Sequence, residues 1–434
     1  LIQHFPKEEK NIKEYLSLVK KVSDELQLIP KLKGFWQNIT VPFRTKHFGK
    51  FALFSLKRVV NWHVKDPMLK AVLNAQCGDH GLPPSRASFP VHCSVMNHYF
   101  EGGFYPMGGG GGIVKAMTTK IKSYGGIIRT QQSVAKILIE NKKAFGVELI
   151  SGERIFAKNI ISNADPSTTY LKLIGNENIS KKLANKLEKT KYSVTSLILF
   201  LTLDMDVTQF GIDSGNIWNF KDENVDDHFD TLMNGDVTQG QEFPAFFMSC
   251  TTIKDPVSFN GRYHNFEVVT YVDYESFNEF DGDDYHCPKY EAFKNKIIDK
   301  FLNSVEKIIP NARKHIVQAE LGTPKTNQFY INSTRGNVYG TEKTLRQVGP
   351  FSYKNKTEFE NLFLCGASTL SHGVTGATYS GLATAATILN CKSDDLLLED
   401  ATQKINIYDA EDPSSWSDFI HKKREDKKRT FKEL

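Results

Sequence analysis

The chain has 434 residues, 40% of them hydrophobic and 24% charged. That length and composition exclude a wholly disordered polymer and suit two domains of ordinary size. The net charge of +5 conceals a split: residues 1–70 hold 14 Lys/Arg against 6 Asp/Glu, a balance of +8, while residues 201–300 hold 7 against 20, a balance of −13. No run approaches the roughly 18 consecutive apolar residues of a membrane span. No compact basic stripe carries interleaved aromatics, so nucleic acid is excluded as a partner.

The N-terminal third is basic and also apolar, at 28–32, 35–36, 41–43 and 48–60. It reads first as the solvated face of a helical domain, and second as a surface resting on anionic lipid. The six cysteines show no CxxC and no metal-ligand spacing. They read as reduced thiols of a cytosol-facing protein.

In chain order, apolar residues at three- and four-residue steps predict a helix over 1–27. Residues 28–100 continue mostly helical, broken at Pro30, Pro42, Pro67 and again at 81–84. A different texture begins at Glu101: EGGFYPMGGGGG runs into a short helix over 113–124, closed by Gly125 and Gly126. Strands at 134–139, 145–150 and 155–157 follow as a meander. Further strands are predicted at 193–204, 243–252, 266–274, 317–322 and 361–365. Between them lie acidic loops and a helix over 289–309. A glycine-rich helix covers 374–389, and a polar, partly helical tail runs from 394.

Two glycine-rich segments carry the chemistry. Gly108–Gly112 meet neither the GxxxxGK[ST] nor the GxGxxG pattern. They read either as a linker or as a turn at a helix start, where backbone approaches a negative partner closely. In FLCGASTLSHGVTGATYSG, a strand ends at Gly366 and a helix opens through Gly373, Val374, Thr375, Gly376 and Ala377. Small residues there let a flat ligand lie against the backbone, with the helix's positive end toward it. The plainer alternative is close helix–sheet packing. His372 beside it reads as a cap or as a cofactor contact. Tyr330 and Tyr339, in the aromatic run GTPKTNQFYINSTRGNVYG, read as structural amphipaths or as proton donors. That run has the texture of a pocket wall or β-rich loop.

On NHYFEGGFYPMGGGGGIVKAM, ISNAD, TNQFY followed by RGNVYG, and FLCGASTLSHGVTGA, the chain resembles the flavin-dependent polyene oxidoreductases. These are the phytoene desaturases, carotenoid isomerases and all-trans-retinol 13,14-reductases (retinol saturases), and the likeness is strongest to the last group. The resemblance implies an α/β fold, a Rossmann-like FAD domain interleaved with an α+β substrate domain. The divisions are then 1–100, mostly helical and facing substrate or membrane; 101–170, FAD-binding with the meander; 171–316, substrate-binding; 317–393, FAD-binding; and the tail. It further implies FAD as cofactor, NAD(P)H as candidate reductant, and a hydrophobic polyene as substrate. The implied location is cytoplasmic, peripheral to a membrane.

Gly108, Gly109 and Gly110 would lie near the flavin and Val134 near the adenine. Gly366 and the segment from Gly373 to Ala377 would cover the pyrophosphate and the flavin O2 edge. Many relatives carry an acidic residue after the glycine matching Gly366, where this chain has Ala367 and Ser368. The family's strand–GxGxxG–helix unit is not found, and the chain is expected to begin after it. These residues alone are therefore expected to bind FAD weakly. A flavin amine oxidase and a truncated, non-catalytic lipid- or partner-binding chain are the alternatives.

Overall fold

The structure, a computed structural model, describes residues 1–28, 41, 43–280, 282, 287–344, 346–397 and 405–433. Residues 29–40 and 42 of the apolar–basic N-terminal third therefore lie outside the described residues, Lys31 and Lys33 among them.

Helix α1 (Glu9–Leu28) buries Ile12, Tyr15, Val19 and Val22, one stripe of an amphipathic helix. It packs with α2 (Lys46–Phe51), α3 (Leu56–His63), α4 (Pro67–Ala75) and α5 (Phe89–Asn97) around Leu56, Leu69 and Phe89. α4 opens on Pro67 and α5 carries Pro90 as its second residue, since proline's missing N–H costs nothing in a first helical turn. After α5 comes α6 (Gly109–Ser123). It begins four residues earlier than the pattern predicts, because the glycines 109–112 wind into its first turn. Gly108 caps it with φ +82°, a left-handed conformation natural to glycine.

Strands β1 (Val134–Glu140), β2 (Lys143–Leu149) and β3 (Arg154–Phe156) form the expected antiparallel meander. β4 (Ile160–Ser162) pairs in parallel with β10 (Leu362–Leu364), far along the chain. Helix α7 (Lys181–Lys189) supplies Leu187 to the core beneath them, with Tyr170 and Phe359.

The second half is built on a five-stranded sheet in the order β6-β7-β8-β5-β9. Its strands are β5 (Thr195–Leu203), β6 (Asn216–Phe220), β7 (Ala245–Cys250), β8 (His264–Val272) and β9 (Ile316–Gly322). Strand alternation puts Leu197, Leu199, Leu201 and Leu203 on one face, all buried, against α9 (Pro288–Val305) with its Ile297, Phe301 and Val305. The opposite face is partly covered by α8 (Val225–Asn234), whose Val225 and Phe229 also enter the N-terminal helical core.

Two sequence expectations are corrected. The boundary drawn at 317 cuts off β9, which pairs with β5 from Ile198↔Gly322 to Leu203↔Ile316 and so belongs to the five-stranded sheet. Of the two readings of the aromatic run, pocket wall or β-rich loop, the second fails: the run contains α10 (Pro324–Ile331), started by a capping box between Thr323 and Thr326. The glycine-rich helix is α11 (Gly373–Leu389), and the tail ends in α12 (Asp418–Glu433). Among the described residues no helix is long and apolar enough to cross a membrane.

Candidate functional site

On the face opposite the leucines, pairing places Trp218 across from Phe247, and Phe247 across from Val269. Three side chains from three strands thus stand in one row, with the Trp218 and Phe247 rings edge-to-face at 5.0 Å. Helix α8 lies over this row through Phe229 and Leu232. Between them is a cavity of about 190 Å³, closed at one end by Gly78, Asp79, Tyr271 and Tyr339. Gly78 must be glycine here, since a Cβ would collide with the Trp218 indole.

The polar end draws on four distant parts of the chain. Tyr271, from β8, donates from its Oη to the Gly78 carbonyl, and the Tyr339 Oη donates to the same oxygen at 3.4 Å. The two phenolic oxygens are 3.5 Å apart. The His372 ring lies 4.7 Å from that of Tyr339, and its Nε2 donates to the Asp79 carbonyl at 2.9 Å. The Asp79 carboxylate accepts from the Tyr99 Oη at 3.1 Å.

Burial sets the protonation states. It pushes Tyr271 and Tyr339 above the usual phenol range, so both remain donors at neutral pH. It holds His372 down to about 4, helped by the nearby Lys343 ammonium. His372 is therefore neutral, with Nε2–H engaged and Nδ1 buried without a partner. Asp79 is pushed up by burial.

The motifs of the sequence meet beside this cluster in one polar knot. Asp165 accepts from the Thr334 N–H and from Asn337 Nδ2, both at 2.7 Å, and from Ser368 Oγ at 3.4 Å. The buried Lys343 donates to the Thr341 and Ala367 carbonyls, and desolvation lowers it to about 8. Asp165, from the ISNAD segment, thus reaches the loop that follows Gly366 through Ser368.

The predicted residues fall into three groups. Tyr339 and His372 come together. Tyr330 does not join them: it is 77% exposed at the end of α10, edge-on to Phe329. The glycine segments form helix starts. His372 caps α11 without a side-chain hydrogen bond, and no acid lies in that helix's first turn, so among the described residues no capping side chain takes up its leading N–H groups. Gly373 has φ +76° with open space where a Cβ would project; Val374, Thr375 and Ala377 are exposed beside it. Gly376 packs on Ser371, 2.7 Å from where a Cβ would sit. Gly366 packs on Asn163. Gly110 faces open space, and the Gly108 N–H donates to the buried Asp255 at 3.0 Å. Val134 opens β1 at the surface.

An uncapped helix start, an orphaned imidazole nitrogen and glycines facing open space fit a flat, anionic cofactor such as FAD. Tyr271 and Asp79 escaped sequence reading. Tyr271 carried one available signal, its period-2 place beside Val269; Asp79 carried none, because it acts partly through its backbone.

Comparison with known proteins agrees with this geometry. The model of the flavin containing amine oxidoreductase family matches residues 62–389. An all-trans-retinol 13,14-reductase of Danio rerio is 28% identical over 407 residues, 89% of this chain and 67% of that protein. A chloroplastic prolycopene isomerase of Daucus carota is 29% identical over 361 residues, 80% of this chain and 53% of its own length. The chain thus spans about two-thirds of the reductase and about half of the isomerase. Among solved structures, an oxidoreductase from Methanosarcina mazei superposes with TM-score 0.55 at 18% identity, covering 83% of this chain and 74% of its own. A putrescine oxidase does so with TM-score 0.55 at 11% identity, covering 88% and 76%, a likeness of fold. With the family match running over well more than half its length, the chain belongs to the flavin-containing amine oxidoreductase family and is a FAD-dependent oxidoreductase.

Proposed function

We propose that this oxidoreductase acts on a carbon–carbon double bond of a conjugated isoprenoid, a retinoid or carotenoid. The observation that carries the reading is the aromatic cavity ending at the Tyr339–Tyr271 pair beside His372 and the start of α11. A flat polyene fits between the Trp218–Phe247–Val269 row and Phe229 with little polar surface to satisfy. The relatives' printed activities, retinol reduction and prolycopene isomerisation, support it.

FAD, when bound, would supply or take the electron pair and one hydrogen at the reacting carbon. Gly108–Gly110 and the turn from Gly373 to Ala377 would hold it, with Gly366 shaping the loop. The rest falls to the chain's own groups. The aromatic walls exclude water and hold the polyene flat. Tyr339 keeps a proton at Oη for the neighbouring carbon, and the Gly78 carbonyl fixes where that hydroxyl points. Tyr271 shares the same acceptor and shapes that end of the cavity. Neutral His372 offers Nδ1 as an acceptor toward the α11 turn. In the saturating direction electrons come from a reductant, for which NAD(P)H is our candidate.

We also place the substrate's source at a membrane surface. Phe43, Leu53 and Trp62 are exposed among the cations Lys50 and Arg58, and Arg58 lies 5.1 Å from the Trp62 ring. Charge reversal at Lys31, Lys33, Arg44 and Lys46 should abolish liposome flotation; equal flotation refutes this placement.

The decisive assay is anaerobic incubation with added FAD and reductant against retinol, prolycopene and lycopene, followed by absorption spectroscopy. A change in the polyene spectrum is expected. Inert polyenes together with peroxide release from amines would establish an amine oxidase instead.

A further inference from the structure

A larger cavity of about 810 Å³ adjoins the aromatic one, sharing Phe220, Leu232, Phe246 and Tyr271 with it. Its outer part changes character, being walled by the 235–244 loop and by Lys300, Ser304 and Lys307 of the α9 region.

Lys300 is only 8% exposed, and it makes no ion pair among the described residues. Its Nζ donates to the Val237 carbonyl at 3.0 Å and the Gln239 carbonyl at 2.5 Å, and lies 4.5 Å from the Phe243 ring. An ammonium carries three donors, of which two have these acceptors, and Lys300 lines the outer cavity. The adjacent acid, Asp236, is committed to its own loop through Thr238 and Gln239. Lys307, farther out, is paired with Glu242. Asp236 is a nearby opposite charge but makes no direct ion pair with the ammonium among the described residues, and a buried cation is costly unless its donor shell is completed.

We propose that Lys300 binds the oxygenated end of a linear substrate whose apolar body runs inward past Phe246, Phe220 and Trp218 to Tyr339. This rests on the inner cavity being the polyene site. It deepens that reading by specifying one polar end, an acceptor oxygen of a carboxylate or hydroxyl, facing away from the reacting bond. A hydrocarbon apolar at both ends would leave Lys300 incomplete.

Titration by quenching of Trp218 fluorescence tests this without turnover, with Trp218→Phe identifying the signal. The probes are a twenty-carbon polyene carboxylate, its alcohol and the parent hydrocarbon. The oxygenated probes are expected to bind about tenfold or more tighter than the hydrocarbon, the scale of one hydrogen bond to a charged group. Carboxylate over alcohol would assign an anionic end, and equality of the two a hydroxyl. Lys300→Met should erase the preference and Lys300→Arg keep it for the carboxylate. Equal affinity of all three for the unaltered protein overturns the proposal, as does a preference that survives in Lys300→Met. That wild-type comparison stands even if a variant fails to fold. Absence of Trp218 quenching by every probe would overturn the polyene-site reading itself, a different result from equal binding.

Discussion

The two halves of the molecule hold themselves together differently. In the half built on the five-stranded sheet, the leucines of β5 and the aromatics of α9 are sealed against each other, with Phe266, Phe277 and Phe301 at most 2% exposed. In the part that carries the glycine-rich helices, the fifteen-residue α6 buries no side chain, and the seventeen-residue α11 buries Ser380, Thr384 and Ala386 alone. Val114, Met117, Ile121 and Val374 are exposed on those helices. Helix stability in proteins comes mostly from packing an apolar face. The sheet thus draws its stability from contacts within itself, whereas α6 and α11 have far less, and a ligand lying on their glycine turns would change them most.

The largest test of this contrast is a pair of truncations. Phe301→Ala should cost about 3–5 kcal/mol in denaturant unfolding, and Met117→Ala within about 0.5 kcal/mol. Comparable losses would erase the distinction.

Acidification probes the N-terminal helical region instead. His92 is fully buried and held at about 4 by desolvation, and His80 is likewise lowered. The unfolded chain takes up these protons near pH 6.5, so their contribution is complete above that value and is lost as pH falls toward 4. For His92 this amounts to about 3 kcal/mol. Asp79, raised by burial, works in the opposite sense. Urea midpoints at pH 7.5 and 4.5 should therefore diverge, and His92→Gln should shrink the gap.

A functional cut comes next. Tyr339→Phe should slow saturation by roughly 100-fold or more with little change in fold, the scale of a lost proton donor. Tyr330→Phe should do almost nothing. Smaller still, added FAD should slow hydrogen exchange in α6 and α11 while leaving β5 and β8 unchanged. Last, Gly110→Ala has open space for its methyl and should stabilise the chain by a few tenths of a kcal/mol, while weakening FAD binding. Tighter binding in that variant would remove Gly110 from the cofactor's path.

Local patterns carried some of this architecture and could not carry the rest. The β1–β3 meander was legible because its partners are adjacent in sequence. β9 was legible as a strand, yet its partner lies more than a hundred residues away, and no local signal assigns it to β5. β6 was missed: five residues at a sheet edge, none fully buried, leave little alternation to see. α10 did announce itself, through threonine followed by proline ahead of it, but the aromatics obscured the cap. At the site, Tyr339 and His372 stood out by residue type and by the glycines around them. Asp79 acts partly through a carbonyl that every residue owns, and Lys300 looks in sequence like any other lysine of an amphipathic helix.

The turn at Gly366 bears on how any glycine-by-glycine mutational survey of this enzyme would read. Its φ of +93° and the Asn163 amide standing where a methyl would go make alanine there a folding lesion. Lost turnover in that variant would report a broken scaffold. At Gly373 the space is open and the penalty is backbone strain alone. Asparagine, which tolerates left-handed backbone, should therefore rescue folding at 373 and fail at 366. Soluble yield scored beside turnover would separate glycines kept for the polypeptide from glycines kept for its cofactor.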